Sequence, residues 1–250
     1  MNYHLGHIPV SLINEVIRRK WITYFRTFIV LKYEYTNVAF FKNKEQPYND
    51  TKDVLNISDK TFRRHLKMLV NFGFLGVDKN ESYYIRSYNH LRTAYGLKKT
   101  RKVEVTLKDI NKANFKSYLY GSAVGFLALK KQNRKKWEVL KKDGINQSHK
   151  FLKYQEVKYD FSIPLSARYL VYYLNTSKTF INKELRIAKE KGYIFFEKDI
   201  RQTGLTDKNI SHILRLRQGD GVYPFSSGGF VYLSYPNKFK PTLGYKREKK

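Results

Sequence analysis

A ten-residue pattern occurs twice in this 250-residue chain, and self-similarity at a fixed offset commits a chain to building one small module twice. Ile57-Ser58-Asp59-Lys60-Thr61-Phe62-Arg63-Arg64-His65-Leu66 shares its register with Leu205-Thr206-Asp207-Lys208-Asn209-Ile210-Ser211-His212-Ile213-Leu214, at an offset of 205 − 57 = 148. Both read apolar, hydroxyl, Asp, Lys, polar, apolar, then three residues and Leu. Gly73-Phe74-Leu75 then falls on Gly221-Val222-Tyr223, and Tyr84-Ile85 on Tyr232-Leu233. Upstream, Ile8-Pro9-Val10-Ser11 matches Ile163-Pro164-Leu165-Ser166 at 163 − 8 = 155, so the second copy is 155 − 148 = 7 residues shorter in that stretch.

Each copy has a local physical logic. Ser58 and Thr206 are hydroxyl residues suited to N-cap a helix, and Asp59 and Asp207 suit its positive first turn. In the first copy Phe62, Leu66 and Leu69 recur at i, i+4 and i+7, one buried face, opposite Lys60, Thr61, Arg63, Arg64 and Lys67. Gly73 stops the helix. Phe74–Val77 and Ser82–Ser87 then read as strands around a turn at Asp78-Lys79-Asn80-Glu81. The second copy buries Ile210, Ile213 and Leu214 and exposes Lys208, Asn209, Ser211, His212 and Arg215. Its hairpin turns at Ser226-Ser227-Gly228-Gly229, between strands over Gly221–Phe225 and Phe230–Tyr235. The helix before each is expected at about Asp50–Asn56 and at Glu197–Thr203, the latter closed by Gly204.

Between the copies, Arg101–Thr106 alternates like a strand and Leu107–Lys142 reads as helix with a break near Gly121. Lys130, Lys131, Arg134, Lys135, Lys136, Lys141 and Lys142 make its second half strongly basic. The expected organisation is a unit over 1–96, a basic helical connector over 97–160, a second unit over 161–240 and a basic tail over 241–250.

The string from Ser58 through Leu69 to Asn71-Phe72-Gly73-Phe74-Leu75 resembles winged helix-turn-helix regulators of bacteria and their phages. The repeated layout resembles tandem winged-helix replication initiators of plasmids and phages. The resemblance implies an α+β, helix-rich fold of two winged helices, a recognition helix in each, and a double-stranded DNA partner. An α-helix fits the major groove, where each base pair shows its own donors and acceptors. Arg63 and Arg64 are suited to bidentate contact with guanine and Asn209 to adenine. Lys60, Lys67, Lys208, Lys79 and Arg86 are suited to phosphate, which positions without reading sequence. Ser58, Thr61, Thr206, Ser211, His212 and Arg215 complete the expected DNA-binding set.

Charge supports a polyanionic partner: 49 Lys+Arg against 21 Asp+Glu give a formal net charge of +28, an excess that repels itself unless it meets phosphate. With no cysteine, disulfides, thiolate metal sites and a Cys nucleophile are excluded. Of the six His, only His4 and His7 are close in sequence, without a carboxylate to complete a metal set. No Gly-rich phosphate loop occurs, since Ser227-Gly228-Gly229 lacks the following Lys and helix. The chain therefore reads as a non-enzyme without a cofactor. Met1–Val10 lacks the order of a signal peptide, and the apolar stretch at Trp21–Leu31 is too short to span a membrane. The expected setting is the cytoplasm of a bacterial host, with homodimerisation open. A structural protein that neutralises phosphate without reading sequence is the alternative, because charge alone would serve it.

Overall fold

The computed structural model describes residues 4–35, 40–41, 46–142, 162–206 and 222–247. It is mixed α+β with small antiparallel sheets, and it divides into two compact units, residues 1–123 with 243–250, and residues 124–242.

The first unit begins with β1 (His4–Pro9), α1 (Val10–Arg18) and α2 (Ile22–Glu34). Then come β2 (Phe40–Phe41), α3 (Gln46–Leu55), α4 (Asp59–Asn71), β3 (Leu75–Val77), β4 (Tyr83–Ile85) and α5 (Tyr88–Ala94). β5 (Lys102–Thr106) and α6 (Leu107–Ile110) precede α7 (Phe115–Lys142), within which the two units divide. One sheet sets β5 between β1 and the strand Tyr245–Lys246; a second has the order β2-β4-β3. In that second sheet Tyr83 lies opposite both Phe41 and Val77.

The sequence explains how this core closes. Phe25 and Phe28 of α2 and Phe62, Leu66 and Leu69 of α4 are all essentially inaccessible to solvent. Phe74 lies in the same core, its ring 4.9 Å from that of Phe28 and 5.7 Å from that of Phe25. The Thr61 N–H donates to Ser58 Oγ at 3.3 Å, which makes Ser58 the N-cap. At the other end Gly73 takes φ +72°, a left-handed conformation that glycine adopts without a Cβ penalty. The Gly73 N–H donates to Val70 O and the Phe74 N–H to Leu69 O, each at 2.8 Å, a Schellman stop. The turn expected at Asp78–Glu81 is present, the Asp78 carboxylate accepting from the N–H groups of Asn80 and Ser82.

The connecting region departs from expectation in one respect. The helix expected over Leu107–Lys142 breaks at Asn111 rather than at Gly121. Asn111 Oδ1 accepts the Ala113 N–H at 3.0 Å and so turns the chain. Gly121 is buried inside α7 among Tyr118, Leu119, Tyr120 and Ala123, where a small residue is tolerated in a continuous helix.

The second unit contains β6 (Ile163–Pro164), α8 (Ala167–Leu174), α9 (Lys178–Glu190), β7 (Ile194–Thr206), β8 (Tyr223–Ser227) and β9 (Phe230–Pro241). The sheet order is β6-β9-β7, with β8 also on β9. The helix expected at Glu197–Thr203 is instead part of β7. Ile194 and Phe196 turn inward, Phe196 lying 5.2 Å ring to ring from Phe239, and residues through Gln202 pair with β9. Cross-strand pairing overrides any local helical preference there. The hairpin expected around residues 226–229 is present, its turn narrowed to Gly228-Gly229, both at positive φ. The helix expected after Thr206 lies outside the described residues.

The two units contain one repeated segment, at a different offset from that read in the sequence. Ser177 caps α9 as Ser58 caps α4, with the Phe180 N–H donating to Ser177 Oγ at 3.3 Å, so the offset is 177 − 58 = 119. Gly192 takes φ +76° where Gly73 takes +72°, and Asn175 takes +50° where Asn56 takes +49°. Gly192 donates to Lys189 O and Tyr193 to Ala188 O, repeating the stop at Gly73 bond for bond. Buried Leu174, Ile181, Leu185 and Tyr193 stand where buried Leu55, Phe62, Leu66 and Phe74 stand. Phe239 lies opposite both Ile163 and Phe196, as Tyr83 lies opposite Phe41 and Val77. An offset of 148 would instead set α3 against the strand β7. The Ile8-Pro9 match also fails topologically, since Ile8 pairs with β5 and Ile163 with β9.

Candidate nucleic-acid interface

Helix α4 follows α3 across a turn fixed by the Asn56 N–H to Asp53 O (3.0 Å) and the Ile57 N–H to Lys52 O (3.4 Å). Arg26, the one cation inside the apolar run of α2, secures this turn from behind. Its Nη1 donates to Leu55 O at 3.2 Å and its Nε to Ile110 O. The turn and the burial of Phe62, His65, Leu66 and Leu69 together fix which face of α4 looks outward.

That outward face carries Lys60, Arg63, Arg64 and Lys67, all exposed. They recur over two turns, so their Cα atoms span about 10 Å along the axis at 1.5 Å per residue. Arg63 Nε lies 2.8 Å from Asp59 Oδ2, and Lys52 Nζ lies 3.9 Å from Asp59 Oδ1. Exposed pairs of this kind hold by only about 0–1 kcal/mol, so a phosphate or a guanine edge can take Arg63 from Asp59. Ser58 and Thr61 are engaged with each other: Ser58 Oγ donates to Thr61 Oγ1 at 3.0 Å while accepting the Thr61 N–H. Their hydroxyls shape the helix start.

Lys79 is exposed in the β3–β4 turn. Arg86 sits at the root of that hairpin, its N–H donating to Phe74 O at 3.1 Å and its guanidinium 5.9 Å above the Tyr84 ring. The structure thus gathers Lys60, Arg63, Arg64 and Lys67 on one helix and places Lys79 and Arg86 at opposite ends of the hairpin. In the second set, Thr206 is the last residue of β7, opposite Phe230. Lys208, Asn209, Ser211, His212 and Arg215 lie outside the described residues.

His65 points inward, its Nδ1 2.7 Å from Thr27 Oγ1 and its ring edge-on to Tyr24 at 5.1 Å. Burial pushes its pKa down, and Arg64 and Arg26 push it further the same way. The unfolded imidazole protonates near 6.5 while the buried one resists, so the neutral form's stabilisation is complete above that pH and is lost as pH falls below it. Urea unfolding followed between about pH 7.5 and 5.5 should show the first unit weakening toward acid. His65→Gln, which keeps a partner for Thr27 but does not titrate, should flatten the curve. Equal slopes for parent and variant would remove His65 from the explanation.

Sequence reasoning missed one cationic surface. Lys178, Thr179, Asn182, Lys183, Arg186 and Lys189 are exposed on α9, opposite buried Ile181, Glu184, Leu185 and Ala188. A signal was present: Ser177 precedes Gly192 by 15 residues, as Ser58 precedes Gly73, with Ile181, Leu185 and Ala188 at the same i, i+4, i+7 spacing between them.

Among the described residues no helix is long and apolar enough to cross a membrane, and no three His, Cys, Asp or Glu side chains gather as a metal site requires. Comparison with protein-family models, curated proteins and solved structures finds no match to this chain.

Proposed function

We propose that this chain is a sequence-specific double-stranded DNA-binding protein, acting in transcription control or replication initiation of a phage or mobile element. In this reading residues 22–86 form a winged helix-turn-helix, with α4 as the recognition helix and the β3–β4 hairpin as the wing. The observation that carries it is the division of α4 into a buried apolar face and an exposed face of four cations, on the helix that follows α3 across a tight turn. The element order from α2 to β4 and the sheet order β2-β4-β3 support the reading, because they hold α4 outward on one side of a closed core.

Arg64 is assigned to a guanine edge, with Arg63 beside it once released from Asp59. Lys60, Lys67 and Lys79 are assigned to phosphate. The protein acts by binding and leaves the duplex covalently intact.

The experiment is selection of duplexes from a random-sequence pool, followed by Arg64→Ala on the recovered site. The variant should lose about 1–3 kcal/mol of discrimination at one base pair, the value of one good bidentate contact. Uniform weakening across all sequences would place Arg64 on phosphate. A pool that yields no motif would replace sequence reading with simple phosphate neutralisation.

A further inference from the structure

We infer that the outward face of α9 is a second DNA-binding surface, occupied by duplex DNA through Lys178, Asn182, Lys183, Arg186 and Lys189. This rests on the reading of α4 given above and extends it to the second unit.

The case begins with geometry. From Ser177 to Ile194 the chain repeats the capping bond, the inward positions, the left-handed glycine and the strand start of Ser58 to Leu75, at a constant offset of 119. The outward positions follow the same register. Lys183 stands where Arg64 stands and Arg186 where Lys67 stands, with Asn182 at the place of Arg63 and Thr179 at that of Lys60. One cation or polar group therefore replaces another at each position, while the inward residues keep their burial. Positive charge is kept at two of the four outward positions, Lys183 and Arg186, and a neutral polar group stands at the other two.

Electrostatics select the occupant. Lys178, Lys183, Arg186 and Lys189 are all exposed, against two acidic residues in the helix, Glu184 on the buried face and exposed Glu190 in the last turn. The position held by Asp59 in α4 is Lys178 in α9, so the carboxylate that pairs with Arg63 has no counterpart there. A face of this kind suits a polyanion, and the register of its cations along a helix suits a groove flanked by phosphates.

Its chemistry also predicts a different sequence preference. Asn182 replaces a guanidinium with an amide, which pairs with adenine N6 and N7 where arginine pairs with guanine. The two surfaces together would read a bipartite site with unlike halves.

The test uses the full chain and a duplex recovered from the random pool. Lys183→Ala/Arg186→Ala should shorten the hydroxyl-radical footprint to one patch and reduce the slope of log affinity against log salt by about 2, one for each lost phosphate contact. Both side chains are exposed, so the melting profile should match the parent, and Lys183→Arg/Arg186→Lys should restore the slope. An unchanged footprint and slope in the double alanine variant, with binding still lost in Arg64→Ala/Lys67→Ala, would overturn this inference and leave the reading of α4 standing. Parent-like binding by both double variants would overturn that reading itself.

Discussion

Replacing Phe74 with alanine is expected to destabilise the first unit by about 3–5 kcal/mol, the usual cost of deleting a buried phenylalanine ring. Phe74 is only 1% exposed and its ring contacts those of Trp21, Phe25, Phe28 and Tyr95. The transfer term and the cavity term both apply, because Phe25 and Phe28 lie within α2 while Trp21 and Tyr95 cap α2 and α5, so none can easily collapse into the gap. With an urea dependence of about 1–3 kcal/mol per molar, the midpoint should move down by at least about 1 M. Trp21 reports the change directly, since its ring lies 6.0 Å from that of Phe74. Trp137, 40% exposed on α7, would be replaced by Phe in both proteins to leave Trp21 as the sole tryptophan. Phe74→Leu, which keeps most of the volume, should lose much less. A midpoint unchanged in Phe74→Ala would mean that α4 is held by contacts other than this aromatic cluster. The consequence for function is positional: Phe74 follows the stop at Gly73, so it anchors the end of α4 to α2.

Much of the first unit was legible in the sequence because its signals are local. Ser58, the apolar spacing of Phe62, Leu66 and Leu69, the stop at Gly73 and the Asp78 turn each act within a few residues. His65 was less legible: its inward orientation depends on Thr27, 38 residues away, and no periodicity in α4 requires a polar group there. In the second unit the capped helix α9 was overlooked because a short string outweighed a long pattern. The hydroxyl-Asp-Lys string at Thr206 matched that at Ser58 in residue identity, whereas Ser177–Ile194 matches Ser58–Leu75 in role. Caps, inward positions and stops tolerate substitution within a chemical type, as Phe62 against Ile181 and Leu69 against Ala188 illustrate. The strand β7 was missed for a related reason. Residues 197–203 carry no clear alternation of their own, and their strand is set by pairing with β9, 30 to 41 residues along the chain.

Affinity for duplex DNA is expected to fall by about 10³- to 10⁴-fold as salt rises from roughly 50 to 200 mM, with a log–log slope of about −5 to −7. The value follows from counting cations. Lys60, Lys67 and Lys79 of the first unit, with Lys178, Lys183, Arg186 and Lys189 on α9, make seven exposed cations assigned to phosphate, Arg63 and Arg64 being kept for base edges. If six or seven phosphates are neutralised, each contributes about 0.9 to the slope through release of condensed counterions. A slope of about −3 to −4 would mean that only one of the two surfaces meets the duplex, since three or four cations can give no more. The slope by itself does not separate a reader from a neutraliser, because both release counterions. The separation comes from the selected and the scrambled duplex measured side by side. Phosphate contacts are shared by the two, so their slopes should run nearly parallel, while base contacts made by Arg64 and Asn182 keep the selected duplex ahead at every salt concentration. Converging lines would show that the apparent preference was electrostatic. Parallel lines separated by at least about 10³-fold would place this chain among proteins whose charge brings them to DNA and whose helices choose where they stay.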